Sequence, residues 1–223
     1  MSRNRWILVV ALAVLLLVAC ACAALLAAWL PRRGEAAGFF PRLGGDAVAI
    51  VPVEGAILYG RAPAFGQTSI AYSERVVEDL RRAEADPTVA AVVLDVNSPG
   101  GSVVASADIH RALTEMTKPV VTSMGEVAAS GGYYIACGTE HIVARPETTT
   151  GSIGVISQLT NVEDLLEMLG VRIYSITSGP MKDLGSPFDE LTAEEYAIYQ
   201  RQVLEAYDGF VAIVAEGRDM GTV

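Results

Sequence analysis

The run Val89–Val96, VAAVVLDV, constrains the fold most, because nearly all of its residues are apolar or small. A strand with one solvated face alternates apolar and polar residues, whereas a near-continuous apolar run predicts a strand buried on both faces of a parallel sheet. Segments with helical spacing lie on either side of this run. Strands that alternate with helices indicate an α/β fold with a largely parallel sheet.

The other elements are predicted from the same periodicities. We expect further strands at Ala47–Ile57, Pro119–Met124, His141–Ala144 and Val171–Thr177, and helices at Ser69–Ala85, after Ser102, at Val162–Leu169 and from Thr192 to about Ala215. Thr192 and Glu195 have the spacing of a capping box, which marks the start of the last helix. The Gly- and Pro-containing segment Ser178–Glu190 is expected to be a loop.

The front of the chain differs in composition from the rest. Trp6–Leu30 is an unbroken run of apolar and small residues, long enough to cross a bilayer as a helix, with arginines at positions 3, 5, 32 and 33. We therefore expect a membrane anchor over residues 1–33, a linker over 34–46 and a catalytic or binding domain over 47–223. Two arginines on each side hardly decide the orientation, and the free amino terminus favours a domain outside the cytoplasm.

Two alternatives to an uncleaved anchor remain open. A cleavable signal peptide normally has a shorter apolar region than Trp6–Leu30. The segment Leu17–Cys20, LVAC, resembles a bacterial lipoprotein cleavage box, which makes Cys20 a candidate lipidation site, although the apolar run continues for ten residues beyond it.

Charge and composition exclude several function classes. The formal net charge is -10, and the first 33 residues contain four arginines and no acidic residue, so the remainder is more acidic still. Such a domain is unsuited to nucleic acid. Two histidines and three cysteines have no recognised metal-ligand spacing and form no disulfide framework, and no cofactor is predicted.

Ser130 is the candidate nucleophile. It lies in Gly125–Tyr134, GEVAASGGYY, where a predicted strand passes into a predicted helix. A serine there can expose its hydroxyl while nearby backbone N–H groups point outward, and both are needed for nucleophilic catalysis with a developing oxyanion. The alternative is an Ala- and Gly-rich turn that only lets a helix pack closely on a sheet.

Two other glycine-bearing turns follow strand-like runs: NSPGGS at Asn97–Ser102 and TTTGSIG at Thr148–Gly154. In open α/β sheets such turns gather at one edge, where ligands bind. A backbone N–H of Gly100–Gly101 and the N–H of Gly131 are therefore candidate oxyanion donors. Without a base nearby, the favoured alternative is that the glycines merely make the turns.

A serine nucleophile needs a base, and neither histidine is well placed in the predicted order of elements. A lysine can act as the base when burial lowers its pKa, because desolvation disfavours the charged ammonium form. The chain has two lysines. Lys118 precedes Pro119 at the outer end of a strand. Lys182 lies in the loop SGPMKDLGSP, where spacing alone favours a surface charge.

Four motifs in this order resemble the SppA group of signal peptide peptidases, which are serine–lysine membrane peptidases. They are NSPGGSV (Asn97–Val103), AASGGYYIA (Ala128–Ala136), TGSIGV (Thr150–Val155) and GPMKDLGSPF (Gly179–Phe188). The resemblance covers roughly Ala47 to the C-terminus and implies a Clp protease/crotonase-like fold. It also implies the site residues: Ser130 as nucleophile, Lys182 as general base, Ser152 as the hydroxyl that holds the lysine uncharged, and Gly101 and Gly131 as oxyanion donors.

By the same resemblance, the chain is a membrane-anchored endopeptidase that cleaves remnant signal peptides and other apolar peptides through an acyl-enzyme. Members of the group assemble as homo-oligomeric rings in which neighbouring subunits complete each active site. They generally continue beyond the last helix predicted here, so the domain is expected to be C-terminally truncated relative to the family.

Three rival functions are weighed against this one. A Clp protease would use a histidine further along, and none follows His141. An acyl-CoA enzyme would have no use for Ser130 with Lys182. A catalytically silent, membrane-anchored binding or scaffold protein of the same fold stays open.

Overall fold

The computed structural model describes residues 47–61 and 70–218. In chain order its elements are β1 (Ala47–Glu54), β2 (Ala56–Leu58), β3 (Ile70–Tyr72), α1 (Ser73–Ala85), β4 (Val89–Ser98), α2 (Val103–Thr114), β5 (Val120–Ala129), α3 (Gly131–Ala136), β6 (His141–Val143), β7 (Thr149–Gly151), α4 (Glu163–Met168) and α5 (Ala193–Gly217).

One sheet organises the described residues. Strands β1, β4, β5 and β6 lie side by side in that order, and β7 pairs with the end of β5, all in parallel. Strands β2 and β3 form a separate parallel pair. The predicted α/β class with a parallel sheet is confirmed.

The core lies between one face of the sheet and helices α1 and α2. Val92, Leu94 and Val96 of β4 are buried there with Leu80 of α1 and Ile109 of α2. The burial of apolar side chains from both helices is what fixes them on the sheet.

The prediction that Val89–Val96 is buried on both faces is wrong. Asp95 and Asn97, which point to the opposite face of β4, are exposed, and Val93 is half-buried. Alanine and valine tolerate partial exposure, so an apolar run does not by itself establish a second covered face.

Three further boundaries differ from the sequence predictions. Ala47–Ile57 is divided into two strands at Gly55, whose positive φ of 74° breaks the extended backbone. The helix predicted from Ser69 begins at Ser73, because Ile70–Tyr72 pairs with β2 instead. Val171–Thr177 forms no strand within the described part of the chain, since its alternating pattern finds no partner strand there.

Strand β5 continues to Ala129, so all of GEVAA (residues 125–129) is strand rather than turn. Its pairing with β4 shifts: Val96 pairs with Met124, but Ser98 pairs with Ala128. The extra β5 residues make a bulge, a feature that re-aims a strand next to a site. The N–H of Val127 lies in this bulge and donates to Asn97 Oδ1 at 3.1 Å.

The long helix α5 begins as predicted. Thr192 and Glu195 form a capping box, with both reciprocal hydrogen bonds present. The helix attaches to α3 through a small apolar cluster of Phe210 and Val214 with Cys137. Burial raises the pKa of the Cys137 thiol to about 11.

The anchor predicted at Trp6–Leu30 and the linker lie outside the described residues. Within residues 47–61 and 70–218, no helix has the length and apolar character needed to span a membrane.

We predict that Lys118→Met lowers the free energy of unfolding by about 1 kcal/mol. The Lys118 ammonium donates to the carbonyls of Ala83 and Asp86 at the C-terminal end of α1, each at 2.7 Å. Urea denaturation provides the measurement. Lys182→Met is the matched control, because among the described residues the Lys182 side chain has no hydrogen-bond partner. Equal losses in the two variants would contradict the prediction.

We also predict that stability falls as the pH is lowered below 6.5, because of His110. Burial lowers the pKa of this imidazole from 6.5, the nearby Glu216 opposing the shift, and its ring packs edge-on against Tyr134 at 5.3 Å. The unfolded chain then binds the proton more readily than the folded chain does, so stability is lost from pH 6.5 downward. His110→Phe keeps a ring without a titrating group and should flatten the dependence below pH 6.5. An unchanged slope in denaturation midpoints would refute this assignment.

Candidate active site

Ser130 terminates β5 in an unusual backbone conformation, with φ 52° and ψ −120°. A non-glycine residue at such angles costs on the order of 1–3 kcal/mol and persists only where its surroundings hold it. The Ser130 N–H donates to Gly151 O at 2.8 Å, and the Ser130 carbonyl accepts from Tyr134 N–H at 2.9 Å. Both sides of the residue are therefore fixed by hydrogen bonds, and its side chain is half-buried.

Gly131 begins α3 directly after Ser130. A Cβ at this position would overlap Ser106 Oγ and lie 3.2 Å from Gly100 Cα. Only glycine allows the turn that carries Ser130 to approach the NSPGGS turn this closely. As the first residue of a helix, Gly131 also has an N–H that no helical carbonyl accepts.

Gly101 is held against β2 by its neighbours. Ile57 N–H donates to Gly100 O at 2.9 Å, and Ser102 N–H donates to Ile57 O at 2.8 Å. All described peptides are trans, so the N–H of Gly101 is opposite the Gly100 carbonyl and points away from Ile57. A Cβ on Gly131 would lie 3.3 Å from Gly101 N, so the backbones of Gly101 and Gly131, the two candidate donors, lie close together.

Ser130, Gly101 and Gly131 line one narrow pocket. Its remaining walls are mostly apolar and come from α2, α3, the segment after β7 and α5: Val103, Ser106, Tyr134, Gly154, Val155, Ala206 and Phe210. Phe210 packs edge-on against Tyr134, with ring centroids 5.1 Å apart. The long helix thus provides one wall of the pocket beside the serine.

The structure brings together three of the five predicted site residues and leaves two apart from the pocket. Ser152 is exposed with a φ of 53°. It follows Gly151, the acceptor of the Ser130 N–H, and so lies at the same corner of the sheet. Lys182 is exposed in the loop after Gly179, to whose carbonyl its own N–H donates at 3.2 Å.

No lysine, histidine or carboxylate is among the described residues that line the Ser130 pocket. The roles of Lys182 and Ser152 therefore stay predictions. Within the same described ranges, no group of histidine, cysteine, aspartate and glutamate residues could hold a metal ion.

Sequence reasoning missed several residues of the site. Ile57 holds the Gly100–Gly101 turn through backbone atoms only, which no side-chain pattern reveals. Tyr134 was visible in the motif GGYYIA but had no assigned role. Phe210 lies far along the chain from Ser130, on a helix that the sequence predicted only from its length and its cap.

A serine in a strained conformation that shares one pocket with Gly101 and Gly131, at the carboxyl edge of a parallel sheet, is the arrangement typical of a serine hydrolase of α/β type. Comparison with known proteins narrows this class. Residues 112–223 match the model of peptidase family S49, and residues 48–166 match that of the NfeD1b N-terminal domain. The chain belongs to peptidase family S49, the serine peptidases of the signal peptide peptidase type.

Individual relatives agree with this family. The chain is 43% identical to a putative signal peptide peptidase SppA of Enterococcus faecium, over 67% of this chain and 44% of the relative. It is 40% identical to the putative protease slr0021 of Synechocystis, over 78% of this chain and 59% of that protein. It is 33% identical to the chloroplastic serine protease SPPA of Arabidopsis thaliana, over 79% of this chain and 27% of that protein. The matched part is thus under two thirds of each relative.

Among solved structures, the chain is similar to a mutant of ClpP1 from Listeria monocytogenes, with 17% identity and a TM-score of 0.46 over 75% of this chain and 71% of the other.

We predict that Gly101→Ala destabilises the fold by about 1–3 kcal/mol and abolishes labelling of Ser130 by a fluorophosphonate. The new Cβ would overlap Ile57 O, so the turn and its N–H must move. Gly209→Ala in α5 is the control, because a Cβ there meets nothing within 4 Å. Labelling at the wild-type rate in Gly101→Ala would show that this amide is no oxyanion donor.

Proposed function

We propose that this chain is a membrane-anchored serine endopeptidase that cleaves remnant signal peptides and other apolar peptides through an acyl-enzyme. The observation that carries the proposal is the Ser130 pocket: in a chain of family S49, a fixed serine shares one pocket with two glycine amides. Ser130 loses its proton to the base and attacks the peptide carbonyl, and the N–H groups of Gly101 and Gly131 receive the oxyanion. The peptide C–N bond then breaks, the amine leaves with the proton held by the base, and water hydrolyses the remaining ester to free the acid and Ser130.

The base in this proposal is Lys182, with Ser152 as its hydrogen-bonding partner. Lys182 is exposed and outside the Ser130 pocket of the same chain. We therefore assign the base at each site to a neighbouring copy, in a ring whose subunits complete one another's sites. Loop 178–190 presents Lys182 at the surface, where a second copy can receive it.

Exposed apolar side chains support such an assembly. Tyr196, Leu204, Tyr207 and Val211 of α5 recur at helical spacing and are all exposed, Tyr196 by 57%. The segment between α4 and the Lys182 loop adds Val171, Ile173, Tyr174 and Ile176, the last fully exposed. Exposed apolar side chains grouped along a helix and a neighbouring segment of the sequence are typical of interaction sites.

The proposed location is the cell membrane, with a single span at Trp6–Leu30 and the domain on the extracytoplasmic side. Its support is the apolar run in the sequence. No cofactor or nucleic-acid partner is assigned.

A complementation experiment tests the shared site. Ser130→Ala and Lys182→Ala, each purified as the full chain in detergent, should be inactive alone on an apolar fluorogenic peptide. If serine and lysine come from different copies, subunits mixed in equal amounts should regain about a quarter of wild-type activity, because each site draws its two residues independently. Activity of either variant alone would refute the dyad, and an inactive mixture would place both residues in one chain.

A second function has one observation in its favour. No base lines the Ser130 pocket among the described residues, which favours a catalytically silent scaffold of the same fold. A scaffold of this kind would neither cleave peptide nor react with a fluorophosphonate in its wild-type form. Labelling at Ser130, located by peptide mapping and lost in Ser130→Ala, would exclude the scaffold.

A further inference from the structure

Ser98 is a fully buried hydroxyl that the mechanism above does not use. It is the last residue of β4, with no exposed surface. Its Oγ donates to Gly55 O at 2.6 Å and accepts from Gly100 N–H at 3.1 Å. One hydroxyl thus joins the corner between β1 and β2 to the turn that contains Gly101.

These hydrogen bonds fix Gly100 on both sides. Ser98 Oγ holds its N–H, and Ile57 N–H holds its carbonyl at 2.9 Å. Gly100 has a φ of 93°, a value that glycine adopts freely. Because glycine can also adopt many nearby conformations, the turn needs other contacts to hold it in this one. The peptide planes before and after Gly100 are therefore both held. Because the peptide between Gly100 and Gly101 is planar and trans, fixing the Gly100 carbonyl also fixes the direction of the Gly101 N–H.

Ser98 also contacts the other half of the site. It pairs with Ala128 of β5, just before Ser130. A Cβ on Gly132 would lie 2.8 Å from Ser98 O, so the first turn of α3 packs directly on this residue. Ser98 is therefore adjacent to the supports of both candidate donors.

The geometry points to Ser98 as a positioning residue for the oxyanion hole. By bridging the Gly55 carbonyl and the Gly100 amide, its hydroxyl holds the Gly101 N–H towards the carbonyl oxygen of the substrate. This inference rests on the proposed peptidase function. Ser98 touches no reacting atom, so its removal acts on the charged transition state and leaves ground-state binding of the peptide nearly unchanged.

The test is Ser98→Ala in the full chain, with kcat and KM measured separately on an apolar fluorogenic peptide. We expect kcat to fall by about 10- to 100-fold, with KM within about twofold of wild type, as for weakening an oxyanion donor. The rate of fluorophosphonate labelling at Ser130 should fall in parallel. Where Ser98→Ala does not fold, Ser98→Cys keeps a side chain of similar size with a weaker donor, and a smaller loss in kcat is expected.

Two variants separate positioning from general destabilisation. Thr139→Val removes a buried hydroxyl that hydrogen-bonds Thr122 Oγ1 at 2.9 Å and Ala136 O at 2.8 Å, away from the turn. Ser73→Ala removes a buried hydroxyl that has no hydrogen-bond partner among the described residues. Both variants should keep kcat within about twofold of wild type. For Thr139→Val this should hold even though its denaturation midpoint falls by about as much as that of Ser98→Ala.

Three results would overturn the inference while leaving the peptidase intact: an unchanged kcat in Ser98→Ala, a rise in KM alone, or the same fall in kcat in Thr139→Val. A wild-type chain that neither cleaves peptide nor reacts with the fluorophosphonate would instead refute the proposed function, and the inference with it.

Discussion

The site depends on the close approach of two turns that lie on different strands and far apart in the sequence. The turn of Gly100 and Gly101 meets the turn of Ser130 and Gly131 so closely that a Cβ on Gly100 would lie 2.9 Å from Ala129 O and Ser130 Cβ. Interiors are packed to nearly crystalline density, so such contacts leave no room for a methyl group. Gly100 and Gly131 therefore permit the distance, and the hydrogen bonds of Ile57 and Gly151 maintain it.

The parallel sheet supplies the framework for that approach. Because β4, β5 and β7 run in the same direction, the turns after all three emerge at one edge. The bulge in β5 lies just before the strand end that carries Ser130, a position where bulges re-aim a strand. The strained backbone at Ser130 is held by a hydrogen bond to Gly151, which lies on a different strand.

Glycine-bearing turns after strands have a direct physical meaning in an α/β fold, so they made Ser130 and the glycines of two turns candidates, and the resemblance to the SppA group then implied roles for Ser130, Gly101 and Gly131. The pattern could not predict that Phe210 forms a pocket wall through tertiary packing, or that Ile57 holds the Gly100–Gly101 turn through backbone hydrogen bonds. Val171–Thr177 alternates like a strand, yet pairing requires a partner edge that a local pattern does not specify. The position of Lys182 was equally inaccessible, because a loop charge has no periodicity that fixes its neighbours.

The buried cluster of Cys137, Phe210 and Val214 contains a thiol whose reactivity depends on the position of α5. Cys137 is buried, its thiol stays protonated at neutral pH, and the Gly217 backbone lies directly against its carbonyl. An alkylating reagent needs an exposed thiolate, so this sulfur stays unreactive while the helix is seated. The speed at which Cys137 reacts would therefore record how often α5 lifts from α3, and with it how often one wall of the serine pocket opens.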